Sequence, residues 1–293
     1  MKPTAVHTDC LICNSPSLRP LEGYEEHHLV ECRSCRFVFS NSIPSEEELL
    51  EYYSGDYDRT AYFSPVTEKR YNELLDSFET YKRTGRILDI GCGYGFFLET
   101  AKKRGWEVYG TEVSREACDK CEAKGIKMHY GKFETCDFED GYFDIVVSFE
   151  VIEHLQNPQE IIKCTNRVLR SGGLLYLTTP NFNSYLRYRL KSNYDVIDYP
   201  NHLSYYTAVT LRLLVEKFGF KTLSTKTTGI SITRSKTSRG ESMQQYVSET
   251  SDDEMLRYKI EKRRFLRLGK QFINFWLNAF GIGVSLKGWF VKE

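Results

Sequence analysis

The chain has 293 residues, of which 41% are hydrophobic and 27% are charged, and its 40 Lys and Arg residues equal its 40 Asp and Glu residues. This length allows one large domain or two modest ones with a substantial core. The zero formal net charge provides no overall field to attract nucleic acid, so no nucleic-acid partner is expected. No run approaches the ~18 apolar residues of a membrane span, and the N-terminus lacks a hydrophobic signal core, which together predict a cytoplasmic protein.

Four of the nine cysteines form two C-x-x-C pairs near the N-terminus. Each pair places two thiolates on one tight turn, and two pairs supply the ligands of a tetrahedral zinc site: Cys10, Cys13, Cys32 and Cys35. Because four cysteines leave no open coordination position, the zinc would be structural and would stabilise a segment with little core of its own. The alternative is a redox dithiol. We predict a zinc ribbon over residues 1–44.

A helical connector is predicted over residues 45–84. Ser45 begins a capping-box pattern, which predicts a helix to about Tyr53, and a second helix is predicted over residues 68–81. Tyrosines are frequent in the first part of this connector: Tyr52, Tyr53, Tyr57 and Tyr62. Two roles are possible for these tyrosines. One of them would close over a bound ligand, or all of them would pack the ribbon against the next domain.

The stretch RILDIGCGYGFF, residues 86–97, predicts a buried strand, a glycine-rich turn and the start of a helix. Three glycines alternate through the turn: Gly91, Gly93 and Gly95. The spacing differs from the dinucleotide fingerprint G-x-G-x-x-G, because Phe96 occupies the position of its third glycine. Asp89, just before the turn, would repel a pyrophosphate but suits a ligand with an ammonium group. S-adenosylmethionine (SAM) carries that group and has no phosphate.

A second acid, Glu112, ends the next predicted strand, residues 106–112, about 20 residues after the glycines. An acid at this position can accept hydrogen bonds from both ribose hydroxyls. This order of elements predicts a nucleoside site: a strand, an acid, a glycine turn, a helix, a second strand and a second acid. The alternative is that the glycines form an ordinary loop.

Strands and helices alternate from residue 86 to residue 179, which predicts a parallel sheet with helices on both faces. The later predicted strands cover residues 126–130, 143–149 and 174–179. The predicted helices cover residues 96–104, 114–124 and 158–169. A polar, tyrosine-rich segment at residues 181–198 is predicted to cover the acceptor, and a helix at 207–218 and a strand at 220–227 follow it.

Four segments of this region, DIGCGYG, GTEVS, FDIVVSFEVIEHL and LRSGGLLYLTTPN, resemble the successive motifs of class I SAM-dependent methyltransferases. The resemblance covers residues 86–228. It implies SAM as the cofactor and an α/β fold with a Rossmann-like, seven-stranded, mostly parallel sheet. The last strand, residues 284–292, would then be antiparallel.

The resemblance also implies a set of cofactor-binding residues: Asp89, Gly91, Gly93, Gly95, Glu112, Phe133, Glu134 and Glu150. Asp89 and the first two glycines would surround the methionine end, and Glu112 would bind the ribose. Residues 131–134 would lie along the adenine. One departure from the family is Lys132, where an acid commonly reads the adenine amino group. Glu134 or a backbone carbonyl would take that role instead.

The catalytic residues are expected at the carboxyl end of the fourth strand, where Glu150, Glu153 and His154 follow one another at helical spacing. Two carboxylates and an imidazole on one side of a turn are costly without a positive group, and a divalent ion, whose ligand set His202 would complete, is one such group. Small-RNA 2′-O-methyltransferases and ubiquinone-pathway O-methyltransferases show similar residues and use such a metal to acidify a hydroxyl. Other roles stay open: His154 as general base or packing residue, and His202 as base or as a cap for the next helix.

The tail contains an additional segment, residues 231–280, inserted into the SAM-binding domain of residues 85–230 and 281–293. Residues 231–254 are polar and predicted to be mobile. Residues 257–270 carry seven Lys or Arg, and apolar residues keep helical spacing through this region: Phe265, Leu268, Phe272, Phe275 and Ala279. Such a helix over residues 255–280 would lie on the inner membrane face, cover the core or mediate a homodimer.

The favoured reaction is O-methylation of a sugar, as a nucleotide sugar, a lipid-linked glycan or a surface polysaccharide. The segment H-L-x-x-Y-T that begins at His202 resembles methyltransferases acting on sugars or other small hydroxyl compounds. The enzyme would hold the acceptor in line with the methyl group and remove a proton. The alternatives are O-methylation of a prenylated phenol at a membrane, C-methylation of a deoxysugar, and an inactive ribbon-bearing interaction module.

Overall fold

The computed structural model describes residues 5–45, 63–240 and 251–293. The predicted helix after Ser45 lies outside the described residues, and so do four candidate tyrosines: Tyr52, Tyr53, Tyr57 and Tyr62. In the described parts of the chain, no helix combines the length and the apolarity that crossing a bilayer requires.

The N-terminal segment forms short antiparallel strands. They are β1 (Ala5–Val6), β2 (Leu18–Pro20), β3 (Leu29–Cys32), β4 (Val38–Ser40) and β5 (Ser42–Ile43). β1 pairs with β5, while β2, β3 and β4 form a sheet that gains a fourth strand, β11 (Ser204–Tyr205), from far along the chain. Ser204 pairs with Phe39 and Tyr205 with Val38. The N-terminal sheet therefore includes a segment that follows the fifth strand of the main sheet.

Seven strands form the main sheet. They are β6 (Arg86–Ile90), β7 (Glu107–Glu112), β8 (Lys127–Tyr130), β9 (Phe143–Phe149), β10 (Leu169–Pro180), β12 (Phe220–Thr228) and β13 (Ser285–Lys292). Their order is β12-β13-β10-β9-β6-β7-β8. All are parallel except β13, which is antiparallel to both neighbours. The predicted seven-stranded, mostly parallel sheet is confirmed.

Helices cover both faces of this sheet, as predicted. They are α1 (Pro65–Phe78), α2 (Phe96–Lys103), α3 (Arg115–Ala123), α4 (Pro158–Val168), α5 (Tyr185–Leu190) and α6 (Ala208–Glu216). Successive residues of β6 show the two faces: Ile87 packs with α1, α2 and α3, while Leu88 packs with α4, α6 and the N-terminal sheet. This two-sided burial explains the continuous apolar runs of the central strands.

The structure of the tail differs from the prediction. Two helices occur here, α7 (Ile232–Thr237) and α8 (Asp252–Lys262). Residues 232–237 and 252–254 of the segment predicted to be polar and mobile are therefore helical, while residues 255–262 are helical as predicted. The basic amphipathic helix is divided at Arg263, whose extended backbone separates α8 from α9 (Arg264–Ala279). Strand β10 also begins earlier than predicted, because Leu169 already pairs with Phe143 before the register shifts.

Candidate active site

The glycine turn joins β6 to α2 at the carboxyl edge of the sheet. Gly91 and Gly93 both have positive φ, 68° and 53°. A Cβ on Gly91 would lie 2.7 Å from Val151 Cγ2, whereas a Cβ on Gly93 would meet no protein atom within 4 Å. Gly91 is therefore required by packing, while the space at Gly93 is left open to a ligand.

Asp89 is the residue that marks this turn as a site for a cation. Its side chain is only 2% exposed, and Oδ1 is buried without a hydrogen-bond partner within the described residues. Burial and the nearby charge of Glu112 raise the pKa of the Asp89 carboxyl well above its usual range. A buried carboxylate without a partner is costly unless a positive group joins it. The ammonium group of SAM has that charge.

Glu112, at the end of β7, is held by backbone donors. Its Oε2 accepts a hydrogen bond from Gly93 N–H at 2.9 Å, and its Oε1 accepts from Val113 and Ser114 N–H at 2.8 and 3.1 Å. These bonds fix the carboxylate beside the open space at Gly93. Oε1 already accepts two backbone bonds, whereas Oε2 keeps a second lone pair that suits the recognition of a ribose hydroxyl.

The adenine segment follows β8 as a short 3₁₀ turn, Phe133–Thr135. The Phe133 side chain is buried in the core beneath α4, so only its backbone is available to a ligand. Lys132 is exposed and Glu134 is half-buried. Of the predicted adenine contacts, Glu134 therefore remains the candidate side chain.

An aromatic group beside Asp89 was missed by sequence reasoning. Tyr71 of α1 packs against Phe97 and Phe149, with ring centroids 5.3 and 5.7 Å apart. Burial and the charge of Asp89 raise the pKa of Tyr71. The helical spacing of α1 predicts a packing role for Tyr71, and only the fold places it next to Asp89.

Glu150 lies apart from the other predicted acceptor-side residues. It has a positive φ of 53°, and its N–H donates to Thr178 O at 3.0 Å, so the helical turn starts only at Ile152. The expected shared helical face with Glu153 and His154 is therefore not formed. Desolvation by the surrounding protein raises the pKa of the Glu150 carboxyl, although the residue is accessible to solvent. Both observations are expected for a residue that lines a deep cleft.

The structure brings together Glu153, His154 and His202, whose candidate ligand atoms all lie within 4.8 Å of one another. Glu153 is buried, and its Oε2 accepts a hydrogen bond from Thr179 Oγ1 at 3.0 Å. Its Oε1 is buried with no hydrogen-bond partner within the described residues. Burial and the charge of Glu150 raise the pKa of the Glu153 carboxyl well above its usual range.

Both imidazoles of this cluster are oriented by backbone carbonyls. His154 Nδ1 lies 2.9 Å from Asn201 O, and His202 Nδ1 lies 2.7 Å from Val196 O. Since a carbonyl only accepts, each Nδ1 carries the proton and each Nε2 keeps its lone pair. Burial and the neighbouring His154 lower the pKa of His202 to about 3.

The N-terminal sheet holds the segment that carries His202. Leu203 N–H donates to Glu153 O at 2.8 Å, and Leu203 O accepts from Ser40 N–H at 2.8 Å. β11 begins at the next residue and pairs with β4. One residue therefore links the catalytic turn to the N-terminal sheet.

Two cations form no ion pair within the described residues: Lys287 of β13, whose charge acts on Glu150, and Arg70 of α1, whose charge acts on Lys287. Three acids also act on Arg70 and partly offset its surroundings: Glu73, Glu254 and Glu261. Lys287 is the register partner of Thr178, which accepts the Glu150 N–H. Burial and the positive charge of Arg70 lower the pKa of Lys287 to about 8, and burial and like charge also lower the pKa of Arg70. A bound anion would relieve this repulsion. No local sequence pattern marks either residue.

The four N-terminal cysteines also lie together. The Sγ atoms of Cys10 and Cys35 are 3.5 Å apart, and those of Cys13 and Cys32 are 3.6 Å apart. Four thiolates bound to one zinc at ~2.3 Å would lie ~3.8 Å from one another. All nine cysteines, each within the described residues, are free thiols. The hydrogen bond from Cys35 lowers the pKa of the Cys10 thiol to about 5, which favours a metal-binding thiolate.

Comparisons with known proteins find related sequences. An uncharacterised protein of Methanocaldococcus jannaschii is 26% identical over 175 residues, which are 60% of this chain and 82% of that protein. The ubiquinone biosynthesis O-methyltransferase of Dechloromonas aromatica is 34% identical over 110 residues, 34% of this chain and 47% of that protein. The chain thus spans about half the length of this O-methyltransferase.

Solved structures share the fold. A SAM-dependent methyltransferase from Thermotoga maritima has a TM-score of 0.52 and 19% identity, covering 84% of this chain and 99% of that one. Another from Archaeoglobus fulgidus has a TM-score of 0.52 and 20% identity, covering 84% and 98%. Residues 62–225, more than half of the sequence, match the family described as Methyltransferase domain. The chain therefore belongs to this family and is a SAM-dependent methyltransferase.

Proposed function

We propose that the enzyme O-methylates a hydroxyl of a sugar that carries a phosphate or diphosphate group, as in a nucleotide sugar or a lipid-linked glycan. The observation that carries this proposal is the cluster of Glu153, His154 and His202. It lies at the carboxyl ends of the strands, where ligands of such sheets bind, and it contains a buried carboxylate oxygen without a partner.

In the proposed reaction the acceptor oxygen attacks the methyl carbon in line, the bond from methyl to sulfur breaks, and S-adenosylhomocysteine leaves. The enzyme has to align the two reactants and accept the hydroxyl proton. His202 is a weak base because its pKa is lowered to about 3. We therefore assign the proton to His154 and an orienting role to His202.

The same cluster fits a divalent cation. Two imidazole Nε2 atoms and Glu153 Oε1 would hold it, and both imidazoles already have the backbone hydrogen bonds that orient metal-binding histidines. When bound, such an ion would supply a Lewis acid that lowers the pKa of the acceptor hydroxyl. Sensitivity of turnover to a chelator would then separate this arrangement from one in which His154 acts alone.

The phosphate of the acceptor is assigned to Arg70 and Lys287. Phosphate is a ligand that both side chains recognise, and charge-assisted hydrogen bonds of this kind are stronger than neutral ones. This feature favours a phosphorylated acceptor over a neutral one. We also propose that the four N-terminal cysteines bind a structural zinc.

The test is mass-spectrometric detection of methylated product after incubation with SAM and matched pairs of acceptors: nucleotide sugars and the corresponding free sugars. We expect methylation of the nucleotide sugar. Lys287→Gln should raise its KM roughly 10- to 100-fold, while Lys221→Gln, an exposed lysine on β12, should not. Equal use of free and nucleotide sugars would contradict the proposal.

A second candidate is O-methylation of a prenylated phenol. Two observations favour it: the relative named a ubiquinone biosynthesis O-methyltransferase and the exposed apolar side chains of α9. A prenylated catechol belongs in the same acceptor panel. Methylation of that compound alone would replace the sugar proposal with this one.

A further inference from the structure

Helix α9 packs on the protein through a narrow stripe of two leucines, a lysine and an asparagine. Its least exposed residues form a stripe at spacings of three and four: Leu266, Lys270, Asn274 and Leu277. Asn274 Oδ1 accepts a hydrogen bond from Gly229 N–H at 3.0 Å, and Asn278 Oδ1 accepts from Thr227 N–H at 2.9 Å. Lys270 forms an ion pair with Glu261 at 3.2 Å. The helix is therefore fixed to the end of β12 by two amide groups and to α8 by an ion pair.

The apolar side of α9 points away from the protein. The exposed fractions are 83% for Phe265, 65% for Phe272, Phe275 and Phe280, and 45% for Trp276. Leu268 and Ile273 on the same helix are exposed as well, and no residue of α9 is buried. We call these seven residues the aromatic face. Its rings are continuous, since three phenylalanine centroids lie 5.5–6.2 Å from that of Trp276.

This orientation contradicts a role in covering the core, because a core-covering helix turns its apolar side inward. A contiguous exposed apolar surface of this kind marks an interaction site. The question is which partner it fits.

The charges around the aromatic face identify the partner. Residues 255–280 contain seven Lys or Arg and one acid. Within the described residues, Lys259 and three arginines at the start of α9 form no ion pair: Arg263, Arg264 and Arg267. A second copy of the chain docking through this face would bring two such basic segments together. An anionic lipid surface neutralises them instead.

We propose that the aromatic face docks the enzyme peripherally on a bilayer that contains anionic lipids. The helix would lie in the plane of the headgroups, with its phenylalanines and Trp276 at the acyl boundary and its arginines at the phosphates. This docking is independent of the acceptor assigned above and requires no spanning segment.

The test is flotation of the full chain with vesicles of phosphatidylcholine alone or mixed with phosphatidylglycerol. We expect flotation with the mixed vesicles, weakened by salt, and a shift of tryptophan fluorescence to shorter wavelength that is absent from the variant lacking Trp276. The triple variant F272S/F275S/W276S should lose at least roughly tenfold in vesicle binding. R263E/R264E/R267E should lose roughly tenfold on mixed vesicles only.

The matched control is Y188S/V209S/L213S, which removes three exposed apolar side chains elsewhere and should float like the native chain. Retention of SAM binding in each variant would show an intact fold. Equal binding of neutral and mixed vesicles would overturn the charge argument. If sedimentation shows a dimer that the aromatic triple variant separates, and no vesicles are bound, the face is an interface between copies and the proposal is wrong.

Discussion

The SAM side of the cleft is built from one continuous stretch, residues 86–134, whereas the acceptor side joins segments that are far apart in the chain. On the SAM side, Asp89 and Glu112 stand near the ends of adjacent strands, and backbone N–H groups hold the Glu112 carboxylate. On the acceptor side, Glu153 and His202 meet through Leu203, which is bound to the N-terminal sheet. The comparison teaches that cofactor binding depends on local motifs, while acceptor chemistry depends on tertiary assembly.

The largest expected effect comes from the acceptor side. His154→Ala should lower turnover by about 10²- to 10⁴-fold, because the proposed base or metal ligand is removed. SAM affinity, measured by calorimetry, should be unchanged. His27→Ala, in the 3₁₀ turn between β2 and β3, is the matched control and should leave turnover intact. A loss of SAM affinity in His154→Ala as large as its loss of turnover would show that SAM binding and acceptor chemistry are not independent.

The converse change is on the SAM side. Glu112→Ala should weaken SAM binding on the order of 10²-fold, because the proposed charge-assisted hydrogen bonding to the ribose is lost. Calorimetry with SAM measures this directly, and thermal unfolding checks the fold. Glu116→Ala, at an exposed position on α3, should bind SAM normally. Unchanged affinity in Glu112→Ala would disprove the ribose assignment.

A third change tests whether the N-terminal sheet positions the acceptor side. Cys32→Ser should remove a ligand of the proposed zinc, loosen β4 and displace the segment of His202. Because small misplacements of catalytic groups are costly, turnover should fall roughly 10- to 100-fold while SAM affinity is retained. Metal analysis of the native chain and the variant gives the zinc content. Full turnover in a zinc-free chain would contradict this coupling.

The smallest expected effect concerns pH. The pKa of Lys287 is lowered to about 8, so its charge is present below that pH and lost as the pH rises through it. The KM of a phosphorylated acceptor should therefore rise several-fold between about pH 7 and pH 9. Lys287→Arg keeps its charge over this range and should show a flatter profile. An identical pH dependence of KM in both proteins would exclude Lys287 from acceptor binding.

The sequence predicted the local parts well for physical reasons. The buried strands, the glycine turn and the acid at the end of β7 are set by neighbouring residues, and so is the C-x-x-C spacing. Glu150 departed from the prediction because its positive φ is imposed by its contact with Thr178, which lies on another strand. Helical spacing alone could not show that bond.

The parts that sequence reasoning missed depend on contacts between distant segments. Arg70 and Lys287 are 217 positions apart, yet their charges interact. Likewise, the spacing of Phe265, Leu268 and Phe272 predicts an amphipathic helix but not which side faces the protein. The orientation of the helix is determined by Asn274 and Asn278, whose side chains accept hydrogen bonds from backbone N–H groups at the end of β12.

The pairing of β11 with β4 limits how this enzyme could be re-engineered. A chimera that exchanges the N-terminal segment must supply a new antiparallel partner for Ser204 and Tyr205. A graft chosen only for its metal ligands would leave those two residues with unsatisfied backbone groups. Transplanting the segment thus also requires redesign of the chain around His202, on the proposed acceptor side.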